Sequence, residues 1–181
     1  MRFNKYMKNI KSLLLIFSFV FTLSLAVSAQ SLTALDGGKV DVQNQNDKVV
    51  VLAIGASWLP LSTQQAVITN KLAKKYAGRD VVIYFIATDS ASAKSKNYAS
   101  DAELNSFAAS NKLTVPVLRD SDGAQTLKRY GVDQLPSFVI LGKDGKPVAE
   151  AFGGIGNIDP KIADPKNDIS IHISRAIDKI L

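Results

Sequence analysis

Long apolar runs with no polar alternation are the strongest pattern in the chain. Two of them, "VVVLAI" at 49–54 and "VVIYFIAT" at 81–88, predict strands. Because neither run alternates apolar with polar residues, both faces of each strand should be covered, as in the centre of a parallel sheet. Shorter runs at 115–118 and 137–141 predict two further strands, and "VDV" at 40–42 predicts a short edge strand.

Helical patterns separate these strands. Apolar residues recur every three or four positions over 62–76 and over 168–181, which predicts two amphipathic helices. Ser100 and Glu103 form the S-x-x-E pattern of a capping box and predict the start of a third helix. The segment 124–131 predicts a short helix that ends at a glycine.

An Asp-Gly turn in "GKDGK" lies between the strand 137–141 and the segment "PVAEAF" at 147–152, which predicts an antiparallel hairpin. Strands joined by helical crossovers, followed by such a hairpin, indicate an α/β fold. The expected architecture is a three-layer α/β/α sandwich with a mixed central sheet, a C-terminal β-hairpin and a final helix.

The first 29 residues differ from the rest of the chain. Four basic residues precede an apolar run of 15 residues at 13–27, and small residues follow it before Gln30. This pattern predicts a signal peptide over 1–29 and a single domain over 30–181. An uncleaved membrane anchor is the alternative. We therefore expect an exported protein, either periplasmic or secreted, or held at the membrane by this segment.

Composition excludes several classes of site. The chain has no cysteine and one histidine, His172, so disulfides, thiolate catalysis and multi-histidine metal sites are ruled out. No cofactor and no metal site are expected. The net charge of +6 falls to about +2 without the first 29 residues. No basic stripe with interleaved aromatic residues remains, so nucleic acid is not an expected partner.

Two segments carry a family resemblance. "ASWLPLS" at 56–62 follows the first long strand, and "YGVDQLPSFVIL" at 130–141 joins a helix end, one proline and a strand. Together they resemble the thioredoxin superfamily, specifically its TlpA-like or redoxin branch, and the resemblance runs from about residue 36 to 155. It implies a thioredoxin-like fold with a cis peptide bond between Leu135 and Pro136.

The same resemblance implies that the chemistry of the family is lost. Leu59 occupies the position of the attacking cysteine and Ser62 that of the resolving cysteine. Ala53 and Gln65 stand where relatives place carboxylates. A thiolate is the attacking species in disulfide exchange, and neither Leu59 nor Ser62 can supply one. These two degenerate positions therefore predict no catalytic residues and most simply a protein that is not an enzyme.

The groove beside these positions needs no sulfur to bind a partner. In the family, the segment before the cis proline pairs with an extended peptide. We expect a module that binds an extracytoplasmic protein or peptide segment in a groove lined by Trp58, Leu59, Pro60, Leu61, Leu135 and Pro136. The alternatives are a redoxin-class enzyme that uses another chemistry, and an accessory subunit related to cell redox homeostasis.

Several of these residues have plainer interpretations. Trp58 could simply pack against the helix start, and Ser62 is better explained as a helix cap or first-turn residue than as a nucleophile. Arg119 and Asp120 follow a strand end, where α/β sheets bind ligands, but a solvated turn is the simpler interpretation.

Overall fold

The structure, a computed structural model, describes residues 31–153, 155 and 168–181. The predicted leader at 1–29 and most of the segment 153–167 lie outside these residues. The elements, in chain order, are β1 Ser31–Ala34, β2 Lys39–Asp41, β3 Val49–Gly55, α1 Pro60–Lys75, β4 Val81–Ala87, α2 Asp101–Ser110, β5 Val117–Arg119, a 3₁₀ turn Ser121–Gly123, β6 Ser137–Leu141 and α3 Ile169–Ile180.

The six strands form one mixed sheet in the order β2-β1-β5-β4-β3-β6. Strands β3, β4 and β5 run parallel, while β6 and β1 run antiparallel to their neighbours. Every residue of β3 is buried, and β3 lies between β4 and β6. The continuous apolar run at 49–54 is therefore explained, because both faces of this strand contact other layers.

The two faces of the sheet are covered unequally. Helices α1, α2 and α3 pack on one face, through side chains such as Leu72, Leu104 and Ile173. The other face is covered by the segment around Tyr130 and Val132. The α/β fold with a mixed central sheet that the sequence predicts is thus correct. The regular helices all lie on one side, and turns stand in place of the second helical layer.

Three elements differ from the sequence-based expectation. Strand β1 was not predicted, because its four residues are too few for alternation to be recognised. The segment 124–131 continues the 3₁₀ turn as a series of turns, with two helical hydrogen bonds, from the N–H of Leu127 to Gly123 O and from that of Tyr130 to Thr126 O. A regular helix does not form there.

The second strand of the predicted hairpin is reduced to two isolated bridges, which join Phe138 to Phe152 and Leu141 to Pro147. Three positions separate the two bridges on β6, whereas five separate them on the returning segment. The two extra positions bulge out of the ladder and prevent a continuous strand.

Among the helices that the structure describes, none is both long and apolar enough to cross a membrane.

Candidate binding groove

Two chain segments meet at one end of the sheet. Strand β3 leaves the sheet at Gly55, and β6 enters it directly after Pro136. In the antiparallel register, Ile54 lies opposite Ser137, so these two segments run side by side. The Leu135–Pro136 peptide bond is cis. The sheet therefore places the loop after β3 next to the proline segment, and these two segments are called the walls of the groove below.

The loop after β3 turns directly into α1. Leu59 is the residue that precedes the helix, and Pro60 is its first residue. Proline is favoured there because its missing N–H would have no helical partner and its φ is already helical. The N–H of Leu59 donates to Ala56 O over 3.1 Å, and the N–H of Ser62 donates to Leu59 O over 3.0 Å. The turn is thus closed by backbone hydrogen bonds.

The six predicted groove residues differ in exposure. Trp58 is 51% exposed. Pro60 is also exposed, whereas Leu59, Leu61 and Leu135 are half-buried and Pro136 is buried. Leu135 packs partly against the apolar cluster on the second face of the sheet. The exposed indole and the buried proline thus belong to two segments that the sheet register brings side by side.

The backbone of Leu135 has unused hydrogen-bonding capacity. Within the described part of the chain, neither its N–H nor its C=O has a hydrogen-bond partner. Backbone groups of a half-buried residue normally pair with protein, water or a ligand.

Ser62 is fully buried in the first turn of α1, and its Oγ accepts a hydrogen bond from the N–H of Ala56 over 3.3 Å. That hydrogen bond joins the first turn of α1 to the residue that directly follows β3. A nucleophilic serine needs an adjacent base, and no hydrogen bond to such a base occurs among the described residues. The only histidine, His172, is exposed on α3.

Gln65 lies one turn further along α1 and is fully buried. Its amide nitrogen donates to Ile54 O over 3.1 Å and to Ser137 O over 2.8 Å. It therefore links β3 and β6 at the end of the sheet from which the two walls extend. From the sequence, Gln65 indicates only that a carboxylate is missing. Its two hydrogen-bond acceptors could not be inferred, because they lie 11 and 72 positions away in the chain.

Asp89 is a further site residue that the sequence analysis missed. It is fully buried just beyond β4. Its carboxylate accepts from the backbone N–H of Ser57, at 3.0 and 3.1 Å, and from the Ser57 hydroxyl at 2.6 Å. Its position after a buried strand, next to the end of β3, was the available signal. Asp89 holds the loop that carries Trp58.

The interpretation of Asp120 as part of a solvated turn is wrong. Its carboxylate is 1% exposed and accepts from the N–H groups of Gln125 and Thr126 and from the Thr126 hydroxyl. The neighbouring Arg119 pairs with Asp101 over 2.6 Å. Both charges are therefore used internally, which leaves neither as a ligand-binding group. No group of three or more acidic or histidine side chains in the described residues could hold a metal ion.

Comparison with known proteins settles the family. A family model described as Redoxin matches residues 16–164. The chain belongs to the Redoxin family. This redoxin is 28% identical over 121 residues to the thiol-disulfide oxidoreductase ResA of Bacillus thuringiensis. The match covers 67% of this chain and 64% of ResA, so the redoxin aligns with less than two thirds of that relative.

Solved structures show the same fold. The secreted disulfide oxidoreductase of Mycobacterium tuberculosis superimposes with a TM-score of 0.60 at 21% identity, covering 83% of this redoxin and 96% of that chain. The exposed lipoprotein thioredoxin Etrx1 of Streptococcus pneumoniae gives a TM-score of 0.61 at 23% identity, covering 83% and 98%. The redoxin therefore has a thioredoxin-like fold, in a chain without cysteine.

Proposed function

We propose that this redoxin is a non-catalytic binding module that holds an extended segment of an extracytoplasmic protein in the groove beside Trp58. One observation carries the proposal: the sheet register brings the Trp58 loop and the Leu135–Pro136 segment side by side, whereas the two positions of the reactive sulfurs hold Leu59 and Ser62. The relatives with thiol-disulfide activity therefore share the scaffold with this chain but not the reacting atoms.

Thiol exchange requires a thiolate that attacks a disulfide sulfur. Leucine has no nucleophilic atom, and the Ser62 hydroxyl is fully buried and already bonded to the backbone. The chain contains no thiol at any position. Disulfide reduction by this protein therefore has no chemical basis.

An extended peptide suits the remaining surface. The N–H and C=O of Leu135, which have no partner among the described residues, offer the hydrogen bonds of strand addition, which supply affinity without regard to side-chain sequence. The exposed ring of Trp58 offers a flat apolar contact with a polar N–H. We expect the bound segment to place an apolar side chain against this ring.

The pattern of the N-terminal segment supports a partner outside the cytoplasm. The basic start, apolar run and small residues at 1–29 have the pattern of a leader. Two structural neighbours are described as a secreted protein and an exposed lipoprotein. The proposed partner is accordingly an unfolded or loop segment of another exported protein.

Trp58 is the only tryptophan, so its fluorescence reports directly on the groove. Heptapeptides selected from a displayed library would be titrated against the protein. Trp58→Ala should raise the dissociation constant, measured by calorimetry, at least about tenfold. The matched control is Val67→Ala, an exposed apolar residue on α1, which should stay within about twofold.

Equal affinity of the Trp58→Ala variant and the unchanged protein would remove the groove as the binding site. In parallel, insulin reduction with dithiothreitol should proceed at the uncatalysed rate. A rate clearly above that background would overturn the non-catalytic assignment.

A further inference from the structure

The buried amide of Gln65 connects two segments that are 83 positions apart in the chain at Ile54 and Ser137. Both hydrogens of its amide nitrogen are used, one on each carbonyl oxygen, at 3.1 and 2.8 Å. Ile54 and Ser137 are also register partners in the sheet. The side chain therefore bridges the terminal residue pair of β3 and β6, next to the two groove walls.

The amide oxygen of Gln65 faces Gly55. A Cβ on Gly55 would lie 2.2 Å from this oxygen and 3.0 Å from the Ser62 hydroxyl oxygen, so only glycine leaves room for the amide. The amide oxygen itself has no hydrogen-bond partner in the described part of the structure. Gly55 and Gln65 are thus fitted to each other at the start of the Trp58 loop.

The chemistry at this position requires a donor with two hydrogens. An ionised carboxylate accepts hydrogen bonds only, so a glutamate here would oppose two carbonyl oxygens with negative charge. A protonated glutamate could satisfy one of the two carbonyls. Glutamine satisfies both in a neutral form at every pH.

We propose that Gln65 is a positioning residue that fixes the separation of the two groove walls. By binding Ile54 O and Ser137 O together, it sets where the Trp58 loop leaves β3 relative to the Leu135–Pro136 segment. The inference rests on the proposed function for its purpose, but its structural content concerns the free protein. It can therefore be tested without any ligand.

Gln65→Leu removes both N–H donors of the amide and leaves an apolar side chain of similar size in its place. Hydrogen exchange followed by mass spectrometry should then rise at least about tenfold in peptides that cover 53–59 and 134–138. Exchange in α3 should not change. Leu72→Ala, a core variant on the same helix, is the control for general destabilisation and should raise exchange in these segments and in α3 alike.

Gly55→Ala gives an independent variant, because the added methyl group displaces the Gln65 amide. It should reproduce the exchange pattern of Gln65→Leu. A Gln65→Leu protein in which both walls exchange as in the unchanged protein, or rise only in proportion to α3, would overturn the proposal.

Gln65→Glu adds a readout that a merely space-filling role would not move. The contacts described for this side chain are two carbonyl oxygens, Gly55 and the Ser62 hydroxyl beside it, none of which titrates. The charged group bound to the adjoining loop is Asp89, which follows β4 and contacts Ser57. Burial without a donor should raise the pKa of the introduced carboxyl. The variant is then neutral at pH values below that raised pKa, which lies above the ordinary value of about 4.3.

As the pH rises through that raised pKa, the carboxyl ionises and repels both carbonyls. Acrylamide quenching of Trp58 should then change with pH in Gln65→Glu, and should be flat over the same range in the unchanged protein. Gln64→Glu, the same change one position earlier, is the matched control and should also be flat. A pH-independent Trp58 signal in Gln65→Glu would contradict the proposal.

The two proposals fail separately. If no peptide binds, the exchange and quenching results still decide the role of Gln65. If peptides bind at Trp58 but Gln65→Leu leaves both wall exchange and affinity unchanged, the binding function stands and the positioning role is lost.

Discussion

At the scale of single residues, the loop that carries Trp58 is held by a buried polar side chain. Asp89 accepts three hydrogen-bond contacts from Ser57, the residue that precedes Trp58. Asp89 is fully buried, whereas Trp58 is half-exposed. The carboxylate that holds the residue before the indole is therefore hidden from solvent, while the ring itself is accessible.

Asp89→Ala should destabilise the fold by about 2 kcal/mol, because it leaves the Ser57 N–H without its acceptor in a part-buried site. Asp89→Asn retains one acceptor oxygen and should lose roughly half as much. Urea unfolding followed by circular dichroism measures both. An Asp89→Ala protein as stable as the unchanged one would show that Asp89 does not anchor this loop.

At the scale of elements, α2 shows how local sequence can define a helix start. Ser100 accepts from the N–H of Glu103 over 3.2 Å, and the Glu103 carboxylate accepts from the Ser100 N–H over 2.7 Å. This reciprocal pair is the capping box that the sequence predicted. The backbone hydrogen bond from Ser100, followed by that from its hydroxyl, lowers the pKa of Glu103.

Ser100→Ala should cost about 1 kcal/mol of stability at pH 7, the usual value of a serine cap. Because the pKa of Glu103 is lower in the folded state, its contribution is present above the ordinary carboxyl pKa and fades as pH falls through the lowered value. The cost of Ser100→Ala should therefore shrink in acid, as thermal unfolding at pH 7 and pH ~3 would show.

Ser106→Ala is the matched control within the same helix. Its hydroxyl donates to Ala102 O inside the helix, and alanine is the better helix former there. It should be neutral or slightly stabilising. A Ser106→Ala variant that loses as much stability as Ser100→Ala would argue against a specific cap effect.

At the scale of the whole molecule, α3 closes the core from the C-terminal end of the chain. Ile173 and Ile177 are fully buried against the helical face of the sheet. At the rim, Asp178 accepts hydrogen bonds from Lys75 and from the Tyr76 hydroxyl, both at 2.9 Å. These hydrogen bonds lower the pKa of Asp178, the one from Lys75 most strongly.

Ile173→Ala should cost about 2–5 kcal/mol through the cavity it leaves. Asp178→Asn should cost under about 1 kcal/mol, because the rim ion pair is exposed to solvent. The lowered pKa of Asp178 means that its contribution is present above the ordinary carboxyl pKa and is lost as pH falls below it. Urea unfolding at pH 7 and pH ~3 separates the two: the loss for Asp178→Asn should diminish in acid, and that for Ile173→Ala should persist. Equal losses for the two variants at pH 7 would refute this division between core and rim.

Much of the fold could be predicted from sequence, because it depends on local patterns. The continuous apolar runs of β3 and β4 indicate that both faces of each strand are covered, and the Ser100–Glu103 pair indicates where α2 begins. The bulge opposite β6 could not be predicted, because it depends on how the returning segment pairs with a strand already in place.

Some properties follow from the amino-acid sequence alone. The chain carries no cysteine, so it has no thiolate, the attacking species of disulfide exchange, whatever its fold. The central strands also follow from their hydrophobic patterns. The roles of Gln65 and Asp89, in contrast, depend on the folded chain. Their hydrogen-bond partners lie 11, 72 and 32 positions away in the chain, and only sheet pairing brings such distant groups within reach, so no local pattern encodes these contacts.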